Sequence, residues 1–467
     1  MKKLPLLLSS VLLVAACANP AVIERAKAER AGFAAVEIGA RRAVGAAPVW
    51  NQSAAELEGT EKRVHALVHG KTISADTAVQ VALINNRALQ SSFAELGLSS
   101  TDLWEVAMGP VPSVGVSVSG LAGDVTRTLE ATVAGALLEL ATTKPRTQLA
   151  EIRFRQAELA ALAETIDLAV QTRRAWIEAV GAFEASTLIG RTQNTADAAS
   201  ELAVQLGRTG AMNKADQARE HAFTAELAVE RAAARLEAQL AKEKLLRLMG
   251  LWGSDTTVYV PDALPALPGR PLAASNIEQL ALTNRVDLAS GKLELNAIAL
   301  DYRLTGQTRM VSDIALVAGA ELERTDGDTE TAPVLALDFQ IPLYDTGPLV
   351  SKRGRMAYLQ AANTLAQQAI DARSDARMAY KAVTGRHNIA RHWRDQVLPL
   401  RRQIDEAALL SYNGMLTSTF ELIADAQEGL ESRLAAAEAK RDYWLAETEA
   451  TAAIWGGSVT LPAGKEE

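Results

Sequence analysis

The amino-acid sequence predicts a mainly α-helical fold with a small β part, in which long coiled-coil hairpins are combined with four β-strands. Three observations lead there. The 467-residue chain carries an internal two-fold repeat, with copies of about 200 residues that show the same order of elements. Long stretches are free of helix breakers: no proline lies between Pro145 and Pro261, and only Pro399 lies between Pro348 and Pro462. Four short segments alternate apolar with polar or small residues at period two, the signature of strands. The composition agrees, with 48% hydrophobic but only 4% aromatic residues. Alanine stands where a globular core would use rings.

The repeat is legible in paired motifs. Val81-Ala82-Leu83-Ile84-Asn85-Asn86 answers Leu280-Ala281-Leu282-Thr283-Asn284-Arg285, and Leu206-Gly207-Arg208-Thr209-Gly210 answers Leu410-Ser411-Tyr412-Asn413-Gly414. Repeat 1, residues 71–260, is expected to open with a helix over about 75–109. Strands follow over about 112–120 and 127–139, turning at Gly120 to Asp124, and then a long helical hairpin with its tip near 207–214. Pro261, Pro265, Pro268 and Pro271 mark a linker over 261–274. Repeat 2, residues 275–457, is expected to open with a helix over about 276–308. Its strands cover about 313–323 and 332–344, turning at Thr325 to Asp328, and its hairpin tip lies near 411–419. Residues 458–467 are a tail.

Within the long stretches the packing period shows. A helix over 146–206 would run about 90 Å at about 1.5 Å per residue, far longer than a globular core needs. Leu359, Ala362, Ala366, Ala369, Ala372, Ala376, Ala379 and Val383 step by three and four, as do Ala215, Ala218, Ala222, Ala225, Val229, Ala232 and Leu236. A repeat near 3.5 makes a left-handed coiled coil. Alanine seams let helices approach closely but bury little area per residue, so a single chain is poorly served and several neighbours are expected.

Residues 1–16 read as a secretory signal: Lys2 and Lys3 precede an apolar run from Leu4 to Ala16 that is too short to span a bilayer. The only cysteine, Cys17, closes Leu13-Val14-Ala15-Ala16-Cys17, which resembles the bacterial lipoprotein box. That resemblance implies a lipid on Cys17 as the mature N-terminus and, with Ala18 rather than Asp following, release to the outer membrane. Residues 17–70 would then be a lipid-anchored N-terminal extension outside the repeat.

An exported chain with four amphipathic strands cannot leave an open sheet in lipid, because every backbone N–H and C=O must be paired there. Two, three or four chains would close eight, twelve or sixteen strands, and only the larger closures leave an aqueous lumen. At this point the sequence resembles the TolC-type outer-membrane efflux channels. The residues that carry the likeness are the Ala-Leu-x-x-Asn helix (Ala82 to Asn86, and Ala281 to Arg285 with Arg285 replacing Asn), the strand exit Ile341-Pro342-Leu343-Tyr344-Asp345-Thr346-Gly347, and the glycine-centred tips followed by Asp216 and Glu421. The resemblance spans roughly residues 70–457. It implies a homotrimer with a 12-stranded barrel in the outer membrane, a helical tunnel in the periplasm, a periplasmic adaptor and an inner-membrane pump. The function implied is a passive conduit of a tripartite system that exports small molecules or ions. The alternatives are a coiled-coil lipoprotein that tethers envelope layers without a pore, and the outer component of a type I protein secretion system.

The tip glycines Gly210 and Gly414 could serve only to reverse a hairpin. In the resemblance the same segments, with Arg208 and Thr209 in one and Tyr412 and Asn413 in the other, also dock the adaptor. Asp405 lies where TolC-type channels place the first carboxylate of their periplasmic gate, while Ala408 occupies the second position and Glu406 is adjacent. Three carboxylates in a narrow pore would attract cations; a solvated helix face is the alternative. No metal site is expected. His65 and His69 are four apart, but Ala66 stands where a zincin needs Glu, and His387 and His392 have no acidic or Cys partner nearby in sequence. No catalytic constellation and no cofactor are indicated, and a formal charge of −8 argues against a nucleic-acid partner.

Overall fold

The computed structural model describes residues 19–110, 113–119, 127–210, 212–271, 276–308, 313–325, 328–340, 347–414, 416–417 and 419–456. Cys17, the signal segment, the strand exit 341–346 and the tail lie outside them. In chain order the helices and strands are α1 (Pro20–Ala26), α2 (Phe33–Val44), α3 (Ala54–Val68), α4 (Ala75–Asn85), α5 (Arg87–Met108), β1 (Ser113–Ser119), β2 (Arg127–Ala136), α6 (Leu137–Arg208), α7 (Lys214–Leu248), α8 (Ile277–Asn284), α9 (Val286–Thr308), β3 (Asp313–Thr325), β4 (Asp328–Gln340), α10 (Pro348–His392), α11 (Leu398–Asn413) and α12 (Thr419–Trp455). The chain is mainly helical with few strands. No described helix is long and apolar enough to cross a membrane.

Two compact units can be distinguished. One comprises residues up to 36, 92–161 and 287–368. It holds the sheet, four antiparallel strands in the order β1-β2-β3-β4. Val116 faces Ala131, Ala131 faces Ala320, and Ala320 faces Pro333 in register. Each strand pairs with its sequence neighbour, so among the described residues β1 and β4 have free outer edges. In the same unit Val22 and Ala26 of α1 pack on Leu103 and Ala107 of α5.

The other unit comprises residues 37–91, 162–286 and from 369 onward. Its larger core joins Val64 and Val68 of α3, Val81 and Ile84 of α4, Trp176 and Val180 of α6, and Leu245 and Met249 of α7. Ser53 caps α3 by accepting from the Glu56 N–H, while the Glu56 carboxylate reaches back to accept from the Gln52 N–H just before the cap. The Trp176 indole donates to the Ile73 carbonyl at 3.0 Å. A second core packs Ala376, Ala379 and Val383 of α10 with Ala446, Ala450 and Ala453 of α12. The proline segment is tied down by its own carbonyls: Trp444 donates to Pro265 O at 3.1 Å, and His387 Nε2 lies 2.8 Å from Pro268 O. His387 is therefore a core histidine.

Each opening helix is broken once rather than continuous. At Asn86 the backbone turns to ψ 122°, and at the matching Arg285 to ψ 124°. Asn86 makes its break useful: its side chain accepts from the Leu89 N–H at 3.1 Å, capping α5, and donates to Leu248 O at 2.9 Å, where α7 ends. Asn85 donates to Met249 O and Gly250 O at 2.9 and 2.8 Å. Arg285 instead forms a half-buried ion pair with Asp375 at 3.1 Å. The Ala-Leu-x-x-Asn motif thus ties an opening helix to the end of a hairpin in the first half, and the Arg variant holds α10 in the second.

The first limbs of the two hairpins also differ. α6 is one helix from Leu137 to Arg208, whereas α10 gives way to a π-turn, Trp393–Val397, before α11. Pro399 has no N–H to return to the carbonyl four residues back, and the extra residue of the π-turn sits at that point.

Candidate functional site at the hairpin tips

The first tip is built from local polar bonds. α6 ends as Thr209 N–H donates to Gln205 O and the Thr209 hydroxyl to Leu206 O. Gly210 then adopts φ +77°, which only glycine takes without strain, and a Cβ there would meet nothing within 4 Å. Asn213 starts α7, accepting from the Asp216 N–H at 2.9 Å, and Asp216 in the first turn holds Arg219 at 3.0 Å. Arg208, Thr209 and Gly210 are all exposed.

The second tip is built differently. Gly414 has φ −80°, a conformation open to any residue, and its N–H donates to Leu410 O at 2.9 Å. Asn413 and Gly414 are exposed and Tyr412 is half-buried. Leucines surround it: Leu410 and Leu416 are 72% and 81% exposed. The first tip carries exposed charge at Arg208 and Lys214; the second carries exposed leucines beside Asn413.

Behind the tips, α7 and α12 line a groove of about 260 Å³ whose walls include Met212, Asp216, Phe223, Ile423 and Gln427. Deeper down, Ile189 and Ala196 of α6, Leu227 of α7 and Leu430 of α12 close a small core. Glu220 lies at this groove, 3% exposed, and one of its oxygens has no hydrogen-bond partner among the described residues. Burial raises its carboxyl above the usual range, against the opposing pull of His221. Sequence reading passed over Glu220, because a Glu between Arg219 and His221 looks like a solvated face.

Asp405 is not a bare carboxylate. It pairs with Arg433 across the α11–α12 interface, and a Cβ on Gly429 would lie 3.1 Å from its other oxygen. One turn earlier, Arg401 reaches Glu428 and donates to Ser432. Two charged rungs therefore hold α11 against α12. Ala408 is half-buried and Glu406 exposed.

Elsewhere in this unit, His65 and His69 meet a partner that local sequence did not reveal. Asp255, on the 3-10 turn Gly253–Thr256, places Oδ1 2.6 Å from His65 Nδ1.

No protein-family model matches the chain, and no curated protein matches it. Solved structures do. The Campylobacter jejuni CmeC outer membrane channel is 14% identical with a TM-score of 0.70, over 82% of this chain and 86% of that one. CusC, described for its transmembrane channel formation, is 15% identical with a TM-score of 0.68, over 82% and 92%. The outer membrane protein VceC of Vibrio cholerae is 16% identical with a TM-score of 0.65, over 82% and 96%. The chain has the fold of the TolC-type outer-membrane channels, the likeness its motifs pointed to. At these identities the likeness is one of fold.

Proposed function

We propose that three copies of this chain form the outer-membrane channel of a tripartite efflux system, a passive conduit for small molecules or ions. The observation that carries this reading is the sheet: four antiparallel strands whose outer edges, on β1 and β4, have no strand partner among the described residues. Three such sheets joined edge to edge make a 12-stranded barrel with a lumen, and closure satisfies every edge N–H and C=O in lipid. The fold shared with proteins described as outer membrane channels supports the same reading.

In this account Cys17 carries the lipid that anchors the N-terminus to the outer membrane, and the helical part stands in the periplasm. An inner-membrane pump supplies the energy through a periplasmic adaptor. The adaptor docks at Arg208, Thr209 and Gly210 and at Tyr412, Asn413 and Gly414. Because one tip is polar and the other leucine-rich, a trimer presents six alternating sites of two kinds, and the adaptor must recognise both. Asp405 sits at the periplasmic gate, where Arg433 offsets its charge, so cation preference there is weaker than three bare carboxylates would give.

Conductance of the purified protein in a planar bilayer, with adaptor added, is the test. Discrete open-channel events are expected. Their absence at all adaptor concentrations would sink the channel and leave the envelope tether. In the same assay Asp405→Ala, which leaves Arg433 unpaired, should shift selectivity toward anions; unchanged conductance and selectivity would remove Asp405 from the gate.

A further inference from the structure

We infer that His65, His69 and Asp255 form a binding site for one divalent transition-metal ion of the zinc class. Three observations carry it. One potential ligand atom from each residue lies within 4.8 Å of the other two. The Asp255 carboxylate oxygen is 2.6 Å from His65 Nδ1 and 3.9 Å from His69 Nδ1, a spread that brackets the ligand spacing around a tetrahedral ion with bonds of about 2.0–2.2 Å. The two imidazoles lie one turn apart at the end of α3, 4.4 Å between centroids with an interplanar angle of 23°, so a turn of the rings about their side-chain bonds brings both in-plane lone pairs to one ion.

The frame that holds the three groups is fixed on both sides. His69 N–H donates to His65 O at 3.0 Å, closing α3. Beyond it the chain runs beside the 254–259 segment: Gly70 N–H donates to Thr257 O at 2.8 Å, Tyr259 N–H to Lys71 O at 2.9 Å, and Ile73 N–H to Tyr259 O at 3.0 Å. His69 Nδ1 also lies 3.2 Å from both Ser254 O and Thr257 Oγ1. The Thr257 hydroxyl itself donates to Ser254 O at 2.8 Å. Without metal, the His65–Asp255 contact is a hydrogen bond whose proton lies on His65, because a carboxylate only accepts. On metal binding that hydrogen moves to Nε2 of the neutral ring, and the ion takes its place between His65 Nδ1 and Asp255.

Two imidazoles and one carboxylate are the donor set of zinc, nickel and copper(II) rather than of magnesium or calcium, which prefer oxygen. All three side chains are solvent-accessible, with His65 and His69 about half exposed, so an ion can enter and a water can complete four ligands. The bound ion would pin the end of α3 to a segment 190 residues away in sequence. Its value is a clip between the N-terminal extension and the end of the first hairpin, independent of any channel activity.

The test uses the full chain purified in detergent without a polyhistidine tag, stripped with chelator and titrated with zinc chloride by calorimetry and by thermal melting. One zinc per chain and a rise in melting temperature are expected. Asp255→Asn should weaken binding about 10-fold, and the double change His65→Gln with His69→Gln should weaken it at least about 100-fold and abolish the thermal shift. His65 and His69 are exposed and Asp255 half-buried, and a metal-free melt within a few degrees of wild type checks that the variants fold. Failure of the wild-type chain to bind zinc would overturn the site. So would the same affinity in the double variant, or unchanged affinity in Asp255→Asn.

Discussion

The second half of the α10 alanine seam and the whole α7 seam meet opposite fates. On α10, Leu359 and Ala366 are exposed, but Ala372, Ala376, Ala379 and Val383 are 0–2% exposed, and the last three of them pack into one core with the alanines of α12. On α7, Ala215, Ala218, Ala222, Ala225, Val229, Ala232 and Leu236 are exposed throughout, with Val229 at 70% and Leu236 at 56%. The buried face of α7 is another one, through Leu227. A three-four repeat records that a helix is packed along that stripe. It does not record whether the partner is in the same chain. The α7 stripe and, among the described residues, the outer edges of β1 and β4 are two separate places that the proposed assembly would cover.

The sharpest way to break this contrast is to put a charge in each seam. Ala376→Asp buries an unpaired carboxylate and should cost at least about 3 kcal/mol, enough to lose cooperative thermal unfolding. Val229→Asp with Leu236→Asp should leave helix content by circular dichroism near wild type but convert the assembly to single chains in detergent. If the α7 variant unfolds instead, or still assembles, the two seams do not differ in the way described.

The tips give the next contrast. Gly210→Val forces a branched residue to φ +77° and should cost about 1–2 kcal/mol of local stability, read as faster amide exchange at the tip. Gly414→Ala, at φ −80°, should stay within about 0.5 kcal/mol. Equal effects would mean the tips reverse by the same geometry.

The smallest effect expected is one of pH. Burial lifts the Glu447 carboxyl above its ordinary 4.5, with Arg173 opposing and Asp76 assisting. The folded chain then keeps a proton that the unfolded chain has released. That contribution to stability is complete below pH 4.5 and is lost as pH rises through the folded value. Glu447→Gln should therefore melt higher than wild type near neutral pH, with the gain fading toward pH 4.5. A gain that grows on acidification would reverse the sign of the argument.

Much of the fold was legible because its signals are local. Proline-free stretches and period-two segments describe helices and strands wherever their partners lie. What stayed hidden depends on tertiary partners. The break at Asn86 was masked by helix-forming neighbours on both sides, and the bond from its side chain to the Leu248 carbonyl joins residues far apart in the chain. Asp405 resembled a gate carboxylate by position, but its pairing with Arg433 could not be read from spacing. The His65 and His69 pair was visible, yet without Asp255, 190 positions away, it looked incomplete.

The most direct test of the central claim, that one copy is unfinished and is completed by others of its kind, is the mass of the detergent-solubilised protein by light scattering or native mass spectrometry. The account predicts a single species at three times the mass of the chain. A monodisperse single chain that retains its strands would contradict it.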